Sequence, residues 1–188
     1  MGRWEPNARG RLAEAAFALY AERGFEQTTV AEIAKRAGLT ERTFFRHFAD
    51  KREVLFGGAD ALRELMVSTV ADAPESIAPI DAATAGLEAA GAFIQEGGAL
   101  AQQRQAIIAA SAELQERELI KLASLAAALA DALRRRGVEE PAASLAAEAA
   151  VAVFKIAFDS WVSESEPQDL PQRIRDSLED LKAVAVGS

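Results

Sequence analysis

The chain has 188 residues, half of them apolar, and a formal net charge of −8, enough for one large domain or a small domain joined to a medium one. Alanine and leucine dominate, and no run alternates like a strand. No window reaches the roughly 18 consecutive apolar residues of a membrane span, so an all-α chain without a membrane segment is expected. Cysteine is absent, which excludes disulfides and thiolate metal sites, and the first ten residues, MGRWEPNARG, lack the apolar core of a signal peptide, so a cytoplasmic location is expected.

From Ala8 to Arg23, Leu12, Ala15, Ala16, Leu19 and Tyr20 recur at helical spacing, and Gly24 follows as a C-terminal cap. Thr29 opens a second helix with Glu32 three residues on, a capping box; Val30, Ile33, Ala34 and Ala37 form its inner face and Gly38 ends it. Thr40 caps a short third helix running to His47. Asp50, with Glu53 in the capping-box position, is expected to start a long fourth helix from about Lys51 to Ala71, ending before Pro74. Five more helices are expected near 80–96, 99–110, 112–136, 141–164 and 169–185, about nine in all. Their breaks fall at Pro79, Gly97-Gly98, Ser111, Gly137 with Pro141, and Pro167 with Pro171. Leu122, Leu125, Leu129 and Leu133 mark one face of the seventh helix, and Arg134 to Arg136 read as cations favoured by its C-terminal dipole rather than as a second DNA contact.

Charge is divided along the chain. Residues 1–53 hold ten basic and eight acidic side chains, a net +2, and residues 54–188 hold eleven and twenty-one, a net −10. A mildly basic head on an acidic body suits a protein that offers one end to phosphates. The division into domains is expected at 1–52 and 53–188, at the start of the fourth helix.

Two short helices joined by a tight glycine turn make a helix-turn-helix, here Thr29–Ala37, Gly38-Leu39 and Thr40–His47. The second helix of such a pair lies in the major groove. Phe44 and Phe48, four apart, can anchor it to a core, which turns Arg42, Thr43, Phe45, Arg46 and His47 to the other sides. Arginine pairs bidentately with guanine, and Thr43 or Phe45 can meet a thymine methyl. Thr28, Thr29, His47 and Lys51 stand at helix ends, where phosphates are contacted. The alternatives are plain ones: Arg42 pairing with Glu41 or Glu32, Phe45 buried in the core, and His47 as an ordinary surface histidine. His47 is the single histidine, which leaves no metal set, and no metal or cofactor is expected.

The run over residues 29–56, TVAEIAKRAGLTERTFFRHFADKREVLF, resembles the signature of the TetR family, and the preceding helix with its Phe17, Tyr20 and Ala21–Phe25 corner is similar too. The resemblance covers about residues 8–58. It implies an N-terminal three-helix DNA-binding domain followed by a helical domain that dimerises and binds a small effector. By position it implies phosphate contacts at Thr28, Thr29, His47 and Lys51, and base or phosphate contacts at Thr40, Arg42, Thr43 and Arg46. Phe45 stands where the family often has tyrosine, so an apolar or stacking contact replaces a hydroxyl there.

The same resemblance implies a dimer built from the last two helices, with Val151, Phe154, Phe158, Ile174, Leu178 and Leu181 as candidate contacts; ordinary core is the alternative. It implies an apolar effector pocket among the middle helices, with Phe93, Ile94, Ile107, Ile108, Leu122, Phe154 and Trp161 as candidate lining. Glutamines 102, 103 and 105 with Arg104 read equally as pocket or as solvated face. Lys155 and Asp159, four apart, read as a surface pair, an interface pair or a ligand anchor. The expected function is a ligand-released repressor on a palindromic operator in a bacterium. The alternatives are a DNA-binding factor without small-molecule gating, an activator, or, remotely, an all-helical enzyme. With no catalytic constellation in the sequence, no enzyme is expected.

Overall fold

The computed structural model describes residues 7–164 and 169–187. Among these it is all-α: nine α-helices, one 3-10 turn and no strand. None of the helices is long and apolar enough to cross a membrane. The chain gathers into two compact units, Met1–Gly58 with Gln103–Glu118, and Ala59–Gln102 with Leu119–Ser188. Pro167, expected as a break, lies outside the described residues.

The first unit begins with α1 (Ala8–Arg23), α2 (Val30–Arg36) and α3 (Glu41–His47). Leu12, Leu19, Ile33 and Phe44 are buried at its centre. The two turns need backbone that most residues avoid: Gly24 has φ 86° and Gly38 φ 68°. Thr29 caps α2 as expected, its hydroxyl accepting from the Glu32 amide while the Glu32 carboxylate accepts from the Thr29 amide at 2.9 Å. Arg11, from α1, donates to the Ala37 carbonyl at the end of α2 and so holds the turn into α3.

Residues 103–118 complete this unit. Ile107, Ile108 and Leu114 are buried in the same cluster as Phe25, Phe44, Leu55 and Phe56. Arg104 donates to the Leu55 carbonyl at 2.8 Å, pairs with Glu118 at 3.1 Å and lies 4.9 Å from the Phe56 ring centre. Arg117 reaches Glu53 at 2.6 Å, Arg52 reaches Glu113 at 3.2 Å, and Ser111 donates to Glu26 at 2.8 Å. The alternatives weighed for Arg104, pocket or solvated face, give way to a half-buried link within this unit.

The fourth helix departs from expectation. Asp50 does cap a turn, accepting from the amides of Arg52 at 2.8 Å and Glu53 at 3.2 Å, but the turn is a short 3-10 segment, Arg52–Val54. Helix α4 starts only at Ala59 and runs to Asp72. Leu55 and Phe56 are buried in the first unit's core, and Gly57-Gly58 interrupts the chain before a helix resumes. The Glu53 carboxylate accepts from Arg117 at 2.8 Å.

The second unit contains α4, α5 (Pro79–Glu96), α8 (Ala142–Val162) and α9 (Leu170–Val186). Helix α6 (Gly98–Ala109) starts in it and α7 (Ala112–Arg135) ends in it. Pro79, expected as a break, occupies the first turn of α5, where its missing N–H costs nothing. Leu87, Leu129, Leu133, Trp161, Leu170 and Ile174 are buried in one core. Gly86 lets α4 and α5 approach closely, since a Cβ there would stand 2.8 Å from the Met66 carbonyl. The arginine triplet was expected to serve the end of its own helix; the contacts seen go elsewhere. Arg136 donates to the carbonyls of Val70, Ala73 and Pro74 at the end of α4, and Arg134 pairs with Asp131 and Glu140. Lys155 and Asp159 form an exposed ion pair at 2.9 Å along α8.

Candidate nucleic-acid interface

Helix α3 is held from beneath and capped at its start. Phe44 and Phe48 are buried with ring centres 5.5 Å apart, and the Thr40 hydroxyl accepts from the Thr43 amide at 3.2 Å. That anchoring turns Arg42, Phe45 and Arg46 to solvent. Phe45 is 56% exposed, resting edge-on against Phe44, which excludes the buried-core alternative.

Glu32, one of the partners considered for Arg42, is occupied by Thr29 and by Arg23 at 2.7 Å. Among the described residues neither Arg42 nor Arg46 makes a hydrogen bond or ion pair, so both guanidinium forks remain available to bases or phosphates. The hydroxyls of Thr40 and Thr43 stand 3.0 Å apart at the helix start, and Thr29 is exposed at the start of α2. His47 is half-buried. Its Nε2 is enclosed and makes no hydrogen bond among the described residues.

Two of the expected phosphate residues, buried Thr28 and half-exposed Lys51, make hydrogen bonds within the corner between α1 and α2. Thr28 is 1% exposed; its hydroxyl donates to the Gly24 carbonyl at 2.9 Å and its amide to the Phe25 carbonyl at 3.1 Å. Lys51 donates to the carbonyls of Phe25, Thr28 and Glu26 at 2.9, 3.0 and 3.4 Å. Both side chains therefore have partners in the corner between α1 and α2. Arg11, which positions the turn into α3, was missed: an arginine between apolar positions of α1 carries no periodic signal of its distant carbonyl partner.

Three titratable groups of this unit are shifted by their contacts. The hydrogen bond from the Thr29 amide holds the Glu32 carboxyl below the usual carboxylate range, and the Arg52 guanidinium does the same for Asp50. Burial, with the Asp50 charge second, raises the Tyr20 phenol, so it stays a neutral donor to the Lys51 carbonyl at 2.6 Å.

The residues expected to line a pocket separate. Ile107 and Ile108 belong to the first unit's core, whereas Ile94, Leu122, Phe154 and Trp161 belong to the second's. Phe93 is 58% exposed. Of the expected dimer contacts, Val151, Phe154, Phe158, Ile174 and Leu178 are buried in the protomer's own core and Leu181 packs against it. The outward face of α8 instead carries Leu145, Ala149, Ala152 and Ile156 at spacings of one helical face.

Comparison with known proteins agrees with this layout. Residues 12–56 match the family model described as bacterial regulatory proteins, tetR family, and residues 77–185 match the MftR C-terminal domain. The transcriptional regulator TcmR of Streptomyces glaucescens is 36% identical over 74 residues, which is 39% of this chain and 33% of TcmR. The match therefore spans about a third of that relative's length. The SmeT–triclosan complex, SmeT being the repressor of a multidrug efflux pump in Stenotrophomonas maltophilia, superposes with TM-score 0.67 at 24% identity, over 95% of this chain and 90% of SmeT. FadR of Bacillus subtilis bound to stearoyl-CoA gives TM-score 0.62 at 20% identity, over 90% of this chain and 95% of FadR. With both halves matched by family models and the helix-turn-helix built as described, the chain belongs to the TetR family of bacterial regulatory proteins.

Proposed function

We propose that the protein is a DNA-binding repressor that acts as a dimer on a palindromic operator and is released by a small, mostly apolar effector, rather than an enzyme. The observation that carries this reading is the outer face of α3. Arg42 and Arg46 are unpaired there and flank the exposed Phe45, with Thr40 and Thr43 at the helix start. A surface of this kind reads base edges in the major groove, with Thr29 and His47 left for neighbouring phosphates. The reading head is assigned to the first unit, Met1–Gly58 with Gln103–Glu118, and the effector and dimer body to the second, Ala59–Gln102 with Leu119–Ser188.

The body supports an apolar effector. Ile94, Leu122, Phe154 and Trp161 share one apolar cluster, and SmeT and FadR hold triclosan and an acyl-CoA in their structures. Ligand release follows if the effector binds better to the conformation whose recognition helices do not fit the half-sites. Pairing of two copies is assigned to the outward faces of α8 and α9. Leu145 is 66% and Ile156 65% exposed on α8, and Val184 is 79% exposed on α9. Ile156→Glu is expected to convert dimer to monomer in sedimentation velocity without loss of helicity; a dimer that persists would move the interface elsewhere.

The reading is tested by fluorescence-anisotropy titration against duplex from upstream of the protein's own gene, with random duplex as control, at two salt concentrations. Selective, salt-dependent binding by two protomers per site is expected, weakened by an apolar effector. Equal affinity for both duplexes, after refolding free of any co-purified ligand, counts against an operator at that position.

A further inference from the structure

We propose, on the reading of α3 as the helix that enters the major groove, that Glu41 is a base-reading residue and that the base it reads is cytosine. Glu41 is the first residue of α3 and is exposed. Among the described residues its carboxylate makes no hydrogen bond or ion pair, although the unpaired Arg42 guanidinium belongs to the next residue. Capping of α3 does not call on it: the Thr40 hydroxyl accepts from the Thr43 amide at 3.2 Å and stands 3.0 Å from the Thr43 hydroxyl. Phe45, four residues on, shares one side of the helix with Glu41, while Arg42 and Arg46 share the neighbouring side. Phe44 and Phe48 keep the opposite side in the core.

A carboxylate on a surface that meets phosphates is repelled by them and lowers affinity for duplex of any sequence. It gains only where the duplex offers a donor. In the major groove the donors are the exocyclic amines of cytosine and adenine. Adenine sets its amine beside a ring-nitrogen acceptor, a pair that an amide side chain matches and a carboxylate does not. Cytosine offers its amine with no acceptor of its own alongside, so glutamate selects cytosine. The N-terminal residues of a recognition helix lie toward the base edges, where Glu41 stands. The exposed sides of α3 then carry guanidinium donors for guanine, one acceptor for cytosine, and the Phe45 ring on the acceptor's side. Glu41 raises selectivity while lowering general affinity.

Selection in vitro from duplexes with a randomised core, using the full chain, gives the preferred half-site. A cytosine is expected at one position of each half-site. That preference should vanish in the pool selected by Glu41→Ala and turn toward adenine with Glu41→Gln, because an amide pairs bidentately with adenine. Preferences at the other positions should persist in both variants. On random duplex Glu41→Gln should bind about twofold tighter, since one like charge is gone. Identical selected sequences for the unmodified chain and both variants overturn the assignment. Loss of every preference at once also overturns it, because Glu41 would then support α3 rather than read a base.

The unmodified protein gives a second test that needs no variant. Cytosine methylated on its exocyclic amine keeps its pair with guanine but carries a methyl where the major-groove hydrogen stood. At the selected position it should weaken binding by about tenfold; undiminished binding overturns the assignment. If the unmodified protein enriches no sequence, the DNA-binding reading itself fails. An enriched half-site indifferent to Glu41 fails this assignment alone.

Discussion

Arg46 sits one helical turn after Arg42 and, among the described residues, makes no ion pair; Arg23 and Thr29 engage Glu32. If it reads a base, Arg46→Ala removes a bidentate contact and should cost about 1–3 kcal/mol of discrimination between operator and random duplex. Competition titrations measure that ratio directly; an equal loss on both duplexes would move Arg46 to the phosphate set. The outer face of α3 was legible in the sequence because Phe44 and Phe48, four apart, fix which side is buried. What spacing does not contain is whether a cation or hydroxyl is already spent. Thr28 and Lys51 share helix-end positions with Thr29 and His47, yet their partners are carbonyls of the corner formed by Gly24 to Thr28. Those are backbone groups, identical in every sequence, so no residue type announces them.

Most helices were legible as elements because their boundaries rest on local chemistry: the capping box at Thr29, the cap at Thr40, and glycines at 24 and 38. The fourth was misread because Asp50 offers a good cap whether an α-helix or a 3-10 turn follows. Burial of Leu55 and Phe56 in the first unit decided the outcome. The Asp50 turn makes a pH prediction. Its carboxylate is held below the ordinary range, first by the Arg52 guanidinium and then by the amides of Glu53 and Arg52. A depressed folded-state pKa stabilises fully above the unfolded value of roughly 4 and is lost as pH falls through the lower folded value. Asp50→Asn keeps an acceptor for the amides but removes the charge. It should lower the melting temperature near neutral pH and flatten its fall in acid, as followed by circular dichroism; an unchanged acid limb would remove Asp50 from the set of stabilising carboxylates. With Asp50 about a third exposed, the effect is modest.

At the scale of the whole chain, the DNA-reading head is a discontinuous structure. Family signature and helix-turn-helix end by residue 58, but Ile107, Ile108 and Leu114 supply buried side chains to the same core, and Arg104 and Arg117 tie residues 53–56 to that segment. No periodic pattern could have revealed this, since the two stretches are separated by all of α4 and α5. Burial of each of those three aliphatic side chains contributes roughly 1.5–3 kcal/mol, against the about 5–15 kcal/mol that holds a whole domain folded. A fragment ending at Gly58 would expose the apolar surface they cover and leave Glu26 and Glu53 without Ser111 and Arg117. Such a fragment should therefore give a poorly dispersed amide spectrum and low helicity, while the full chain is folded. Within the full chain, Ile108→Ala should cost about 2–5 kcal/mol and raise amide exchange in α1–α3 as well as in α6. A well-dispersed spectrum from the fragment, or exchange that rises in α6 alone, would show the head to be self-sufficient. If the head does depend on residues 103–118, any effector that displaces this segment also disturbs the support of α3. Release from DNA would then draw on the head's own core.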